Sequence, residues 1–213
     1  MTYESAPEDL ALLGARVLGF PRASRIAARY GLTLTVVEEA LLDFEAKGWA
    51  RHTSFAESSG WSTTEAGKAE VERRLAAELD RAGARAAVTA AHTAFGPLNR
   101  RFSAACTDWQ IRPTRVDPMA FNDHSDWSWD ERVLKSLASA GNTFRQLCDE
   151  LAAALARFHG YADRYFAALA HVDAGRRAWI DAYDRDSCHL VWIQFHEDLL
   201  ATLNLPRGSD TAD

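Results

Sequence analysis

Apolar positions recur along this chain mostly at helical spacing, interrupted once by a short stretch of alternating spacing. Pro7 suits the first turn of a helix that runs to about Leu18, and Gly19, Phe20 and Pro21 break it. A short helix over 23–30 ends at Gly31, read as a left-handed cap. Thr33 or Thr35 then opens a third helix over 33–47, and Thr35 with Glu38 fits a capping box. Its apolar residues Leu34, Val37, Leu41, Leu42 and Phe44 are expected to face a core, and Gly48 stops it. Residues 49–55 alternate as a strand, 57–60 form a turn and 61–63 return as a second strand. Thr64 caps a long helix that starts at Glu65. No strand signal follows. Helices are expected at 84–107, 129–140, 142–158, 161–174 and 185–203, and the stretch 108–129, with Pro113 and Pro118, is irregular.

That order of elements predicts a mainly α protein. An N-terminal winged helix-turn-helix over residues 1–83, with a small β-hairpin wing, precedes an α-helical bundle over 84–205. Residues 206–213 are expected to be a disordered tail.

Composition narrows the function classes. The chain has 213 residues, 24 basic against 30 acidic, for a net charge of −6. Residues 1–83 carry 10 basic and 13 acidic side chains, so the remainder carries 14 and 17, and both parts sum to −3. This balance counts against tight non-specific binding to nucleic acid. Cys106, Cys148 and Cys188 are odd in number and far apart, which suits reduced thiols in a cytoplasmic protein. No apolar run is long enough to span a bilayer, and the acidic, polar start MTYESAPEDL is not that of a signal peptide.

The strings RIAARYGLT, LLDFEAKGWA and GWSTTEAGKAEVERRL resemble winged-helix regulators of the MarR and PadR type. The last is similar to their sequence of wing strand, L-T-x-x-G-R and long helix, with Ser62 and Lys68 standing where the pattern has Leu and Arg. The resemblance covers about 65 residues, under a third of the chain. It implies a base-reading face of Leu34, Thr35, Glu38, Glu39 and Asp43. Phosphate contacts would come from Arg22, Ser24, Arg25 and Arg29, and from Arg51 and His52 on the wing. Glu38 and Glu39 can accept from cytosine amines but repel phosphate. Such regulators dimerise through long helices, which implies a homodimer through Val71, Leu75, Leu79, Val88 and Phe95. The C-terminal half is similar to uncharacterised bacterial proteins that pair a winged helix with a helical segment. Some of those occur with pyruvate-phosphate-dikinase-like enzymes, which implies a partner enzyme.

Three strings of the C-terminal half carry candidate chemistry: CTDWQIRP, NDHSDW and DSCHLVWIQFHEDLL. Trp and Arg suit a planar or anionic small molecule, so Asp108, Trp109, Gln110, Arg112, Asp123, His124, His189, Trp192 and His196 are expected to line an effector pocket. His189 and His196 are seven apart, about 10.5 Å along a helix axis, and cannot easily share one ion. No metal or other cofactor is expected. Cys188 and His189 point about 100° apart and form no catalytic pair. The first expectation is a ligand-responsive, dimeric transcriptional regulator that binds DNA. One alternative is a biosynthetic or accessory enzyme using His124, Asp123, His189, His196 and Glu197. The other is a protein-docking regulator of a partner enzyme. In each case the protein works without a membrane.

Overall fold

A computed structural model of the protein describes residues 2–55 and 58–206. Glu57, expected in the hairpin turn, and residues 207–213 of the expected tail lie outside the described residues. The chain is mainly helical, and a two-stranded antiparallel hairpin follows three N-terminal helices. The first elements are α1 (Pro7–Val17), α2 (Ala23–Tyr30), α3 (Leu34–Ala46), β1 (Ala50–Phe55), β2 (Ser58–Thr63) and α4 (Glu65–Ala82). They are followed by α5 (Arg85–Gln110), α6 (Trp127–Ala154), α7 (Tyr161–Asp173) and α8 (Cys188–Leu203), with single 3-10 turns at Ala156–Phe158 and Arg177–Trp179. Among the described residues no helix is long and apolar enough to cross a membrane.

Two compact units emerge. Unit 1 gathers Met1–Thr89, Leu151–His159 and Gln194–Asp213; unit 2 gathers Ala90–Glu150 and Gly160–Ile193. The division expected at residue 83 therefore differs from the observed one, because two C-terminal segments join the N-terminal helices. Backbone pairing shows one tie: Tyr3 N donates to Ala154 O (3.0 Å) and Ala156 N to Tyr3 O (3.0 Å).

In unit 1 the caps set the boundaries. Thr33, rather than Thr35, caps α3, its Oγ1 accepting from Val36 N at 3.4 Å. Thr64 Oγ1 accepts from Gly67 N (3.0 Å) and donates to Gly48 O (2.6 Å), so one hydroxyl joins the exit of α3 to the start of α4. Any side chain at Gly67 would place its Cβ 1.8 Å from Trp49 O, which only glycine avoids. On α3, Val37, Leu41 and Phe44 are buried, while Leu34 is 45% and Leu42 58% exposed. The expected core face is thus narrower. Leu42 lies about 100° around the axis from Leu41, and packing begins one turn after Leu34. Arg51 to Phe55 form an exposed strand, paired from Ala50↔Thr63 to Phe55↔Ser58, so 58–60 belong to the ladder and not to a turn.

Val71, Leu75, Leu79, Val88 and Phe95 are all at most 2% exposed in a single chain. The apolar stripe expected to make a dimer is consumed by the chain's own core. A dimer would have to use other surface.

The two helices expected at 129–140 and 142–158 are one, α6, which ends at Ala154. Gly141 between them is not a breaker. A Cβ there would lie 2.7 Å from Tyr165 Cε1, so the glycine lets α6 and α7 approach closely. The core around it is aromatic: Trp192 stacks on Phe102 (4.0 Å between centroids, 8°) and meets Phe95, Phe144 and Tyr165. Tyr165 donates to Leu137 O at 3.0 Å. The stretch expected to be irregular is a closed loop, with a bridge between Ile111 and Phe121 and a bond from Asn122 N to Gln110 O (2.8 Å). Asp126 ends it by capping α6, accepting from Ser128 N (3.0 Å) and Trp129 N (3.1 Å).

Candidate functional site

The end of α5, this closed loop, the first turns of α6 and the 3-10 turn at Arg177 meet in unit 2 around one buried carboxylate, Asp130, 1% exposed. Asn122, itself buried, is held by its backbone and donates from Nδ2 to Trp109 O (3.1 Å) and Asp130 Oδ1 (3.0 Å). With both amide protons of Asn122 spent, its 3.2 Å approach to His124 Nδ1 is a contact between two donors. His124 Nδ1 then donates to Asp130, 3.1 Å from each oxygen. Arg177 Nη1 stands 3.6 Å from Asp130 Oδ2. Two cation-forming groups thus share one carboxylate, and both lie over the ring of Trp109: the imidazole at 4.3 Å and the guanidinium at 6.0 Å.

His124 holds φ +58°, a left-handed conformation that costs a side chain energy unless its surroundings enforce it. Here the bond from His124 N to Asn122 Oδ1 (3.1 Å) enforces it. The consequence is chemical. With Nδ1–H pinned to Asp130, the tautomer places the lone pair on Nε2, and the side chain is 27% exposed. Nε2 can accept a hydrogen bond from a bound molecule.

Two cavities open on this centre and share Trp109 and Arg177. One, of about 390 Å³, adds Trp127, Asp130, Leu134, Val172 and Asp173 among its walls. The other, of about 280 Å³, adds Gln110, Asn122, His124 and Asp181. The larger falls in the range of small-molecule sites, roughly 300–1,000 Å³.

The residues singled out from sequence divide sharply. Trp109, Gln110 and His124 converge. Gln110 Nε2 donates to Asp181 at 2.9 Å. Asp123 turns away: it accepts from the Ser125 hydroxyl (2.7 Å) and amide (3.0 Å), which hold its carboxyl below the usual range. Arg112 pairs with Asp126 (2.9 Å), and the Asp108 carbonyl accepts from Trp129 Nε1 (2.7 Å), so both shape the loop. Trp192 is core, its Nε1 donating to Asn99 at 2.9 Å, and lines neither cavity. His189 packs against Phe102 and Tyr183, where burial pushes its imidazole value down. His196 and Glu197 belong to unit 1, where Glu197 lies 3.5 Å from Arg16. Of the set His124, Asp123, His189, His196 and Glu197, only His124 lines either of these two cavities. Sequence reading missed Asp130 and Arg177, and held Asn122 only as part of the string NDHSDW. Asp130 opens an amphipathic helix and Arg177 lies 47 residues further on, and no spacing rule connects them.

Burial holds the Cys106 and Cys188 thiols up at about 12, and no disulfide joins the three cysteines. Among the described residues no group of three or more His, Cys, Asp or Glu could hold a metal ion.

On unit 1, Leu34, Thr35, Glu38, Glu39, Leu42 and Asp43 form the outer, exposed side of α3. Arg22, Ser24 and Arg51 are exposed and Arg25 is half-buried. His52 leans on Trp61 with ring centroids 4.9 Å apart. Arg29, expected on phosphate, is turned inward instead. Its guanidinium donates to His159 O (3.0 Å) and Arg157 O (3.1 Å), because the segment 151–159 packs in unit 1 and needs those carbonyls satisfied. Comparison with known proteins gave no match to a family model, a curated protein or a solved structure.

Proposed function

We propose that the protein is a ligand-responsive regulator. Unit 2 holds a small-molecule effector, and unit 1, read as a winged helix-turn-helix, contacts DNA. The observation that carries the effector half is the Asp130 centre: a buried carboxylate whose two partners, His124 and Arg177, present their far ends to cavities floored by Trp109. The DNA half is supported by the order of three helices and a hairpin, by the wholly exposed outer side of α3, and by Arg22 and Arg51 beside it. An effector acts in such a protein by binding one arrangement of the DNA-contacting surfaces better than another.

A second reading is favoured by two specific observations. Glu38, Glu39 and Asp43 are exposed on the very face that would meet bases, and Arg29 is committed inward. Such a face suits a basic protein surface, as in a regulator docked on a partner enzyme. Anisotropy of a labelled duplex, titrated with the protein over a salt series, separates the two. For DNA, log affinity falls with log salt, and Arg22→Ala with Arg51→Ala flattens that slope by about 2. Absence of binding at low salt rejects DNA and leaves the protein partner.

A further inference from the structure

Resting on the effector reading, we infer that the ligand of unit 2 is a zwitterion with an apolar body, in chemical terms an α-amino acid with a large apolar or aromatic side chain. The larger cavity has apolar walls from Trp109, Trp127, Leu134 and Val172, with Asp173 and Arg177 as charged groups whose bonding capacity remains open.

Charge accounting around the cavity isolates these two. Glu131 is matched by Lys135 at 2.9 Å, one helical turn away. Asp130 is buried, accepts from His124 and is matched in charge by Arg177. Arg177 spends one guanidinium nitrogen on that contact, at 3.6 Å, and its side chain stays 45% exposed, leaving an edge of the fork for a carboxylate. The Asp173 carboxylate has no hydrogen bond or ion pair among the described residues. Asp173 is also the last residue of α7, where the helix dipole disfavours a negative charge. A ligand ammonium would relieve an acid that the fold has left in an unfavourable position. Gly175, at φ +82°, turns the chain between the two groups. Asp173 and Arg177 thus line one cavity without pairing with each other. Trp127, 65% exposed, is the wall an apolar side chain would cover.

Calorimetry of the full chain with three probes tests this: L-phenylalanine, phenylacetate, which lacks the ammonium, and phenethylamine, which lacks the carboxylate. Phenylalanine is expected to bind at least tenfold tighter than either. Asp173→Asn should bring phenylalanine down to the affinity of phenylacetate and leave phenylacetate unchanged. Arg177→Gln should bring it down to that of phenethylamine. Both positions are solvent-facing, and circular dichroism checks that the variants fold. Phenylacetate binding as tightly as phenylalanine, with Asp173→Asn indifferent, overturns the zwitterion and leaves an anionic effector. Equal binding of phenethylamine overturns it in favour of a cation. No heat from any probe overturns it as well, whereas the effector reading itself fails only if no small molecule alters the DNA or partner titration.

Discussion

Each unit buries a charged centre, and the two are built differently. In unit 1, Arg157 is 1% exposed and lies between Glu78 (2%) and Asp198 (0%). Its Nε donates to Glu78 at 2.8 Å, Nη1 to Asp198 and Nη2 to Thr202 Oγ1 at 2.8 Å, while Ser5 donates to the other oxygen of Glu78. Burial alone would lower the Arg157 guanidinium value, but Asp198 and Glu78 together hold it above the usual range. In unit 2, Asp130 is as deeply buried, yet its partners His124 and Arg177 reach back to open cavities. The first network is closed, with its partners inside the core, and fastens the N-terminus, α4, the 151–159 segment and α8 together within unit 1. The second has an outlet. A buried charge by itself marks neither stability nor function; what separates them is whether the partners have groups left over.

That contrast can be broken most decisively at Arg157. Arg157→Met strands two buried carboxylates and is expected to cost about 3–5 kcal/mol in urea unfolding. A loss below 1 kcal/mol would mean that water enters the centre and that it is not closed. The open network should respond differently. Asp130→Asn removes the charge that faces Arg177 and turns one of the two acceptor oxygens into a donor, and is expected to cost about 1–3 kcal/mol. Arg177→Gln, at an exposed and long ion pair, should change stability by about 0–1 kcal/mol while abolishing the preference for a zwitterion over an amine. If Arg177→Gln destabilises as much as Arg157→Met, the two centres are alike and the functional reading of Asp130 loses its basis.

The smallest effect concerns pH. Burial depresses the imidazole of His189, and its Nδ1 is a buried nitrogen without a hydrogen-bond partner among the described residues. The unfolded chain therefore takes up this proton more readily than the folded one. Stability from this group is fully present above the ordinary imidazole value of 6.5 and is lost as pH falls below it through the folded value. Thermal midpoints measured between pH 7.5 and 5 should fall, and less so in His189→Gln; equal slopes would remove His189 as a contributor.

How much of this was legible depends on whether a residue's meaning is local. Pro7, Gly31 and Thr64 mark their helix boundaries in the sequence because caps and breakers act within a turn. Trp109, Gln110 and His124 stood out because aromatic and polar residues cluster in short loops. Gly141, between the expected helices 129–140 and 142–158, looks like a stop from sequence, and only α7, packed against it through Tyr165, shows it to be a contact point. Arg157 and Asp130 were invisible for the same reason in charged form. Each looks like an ordinary polar residue of an amphipathic helix until its partners arrive from distant segments. Arg29 shows the converse error: a basic residue on an apparently solvated face was already spoken for by two carbonyls.

The backbone at His124 carries a practical corollary. Because the chain there passes through a region that β-branched and most other side chains avoid, few residues can replace the imidazole without re-routing the loop. Asparagine and aspartate are among the exceptions, since both tolerate that geometry. His124→Asn would thus subtract the ring while sparing the path of the chain, so a phenotype could be traced to lost imidazole chemistry and not to a collapsed wall. Alanine at this position would confound the two.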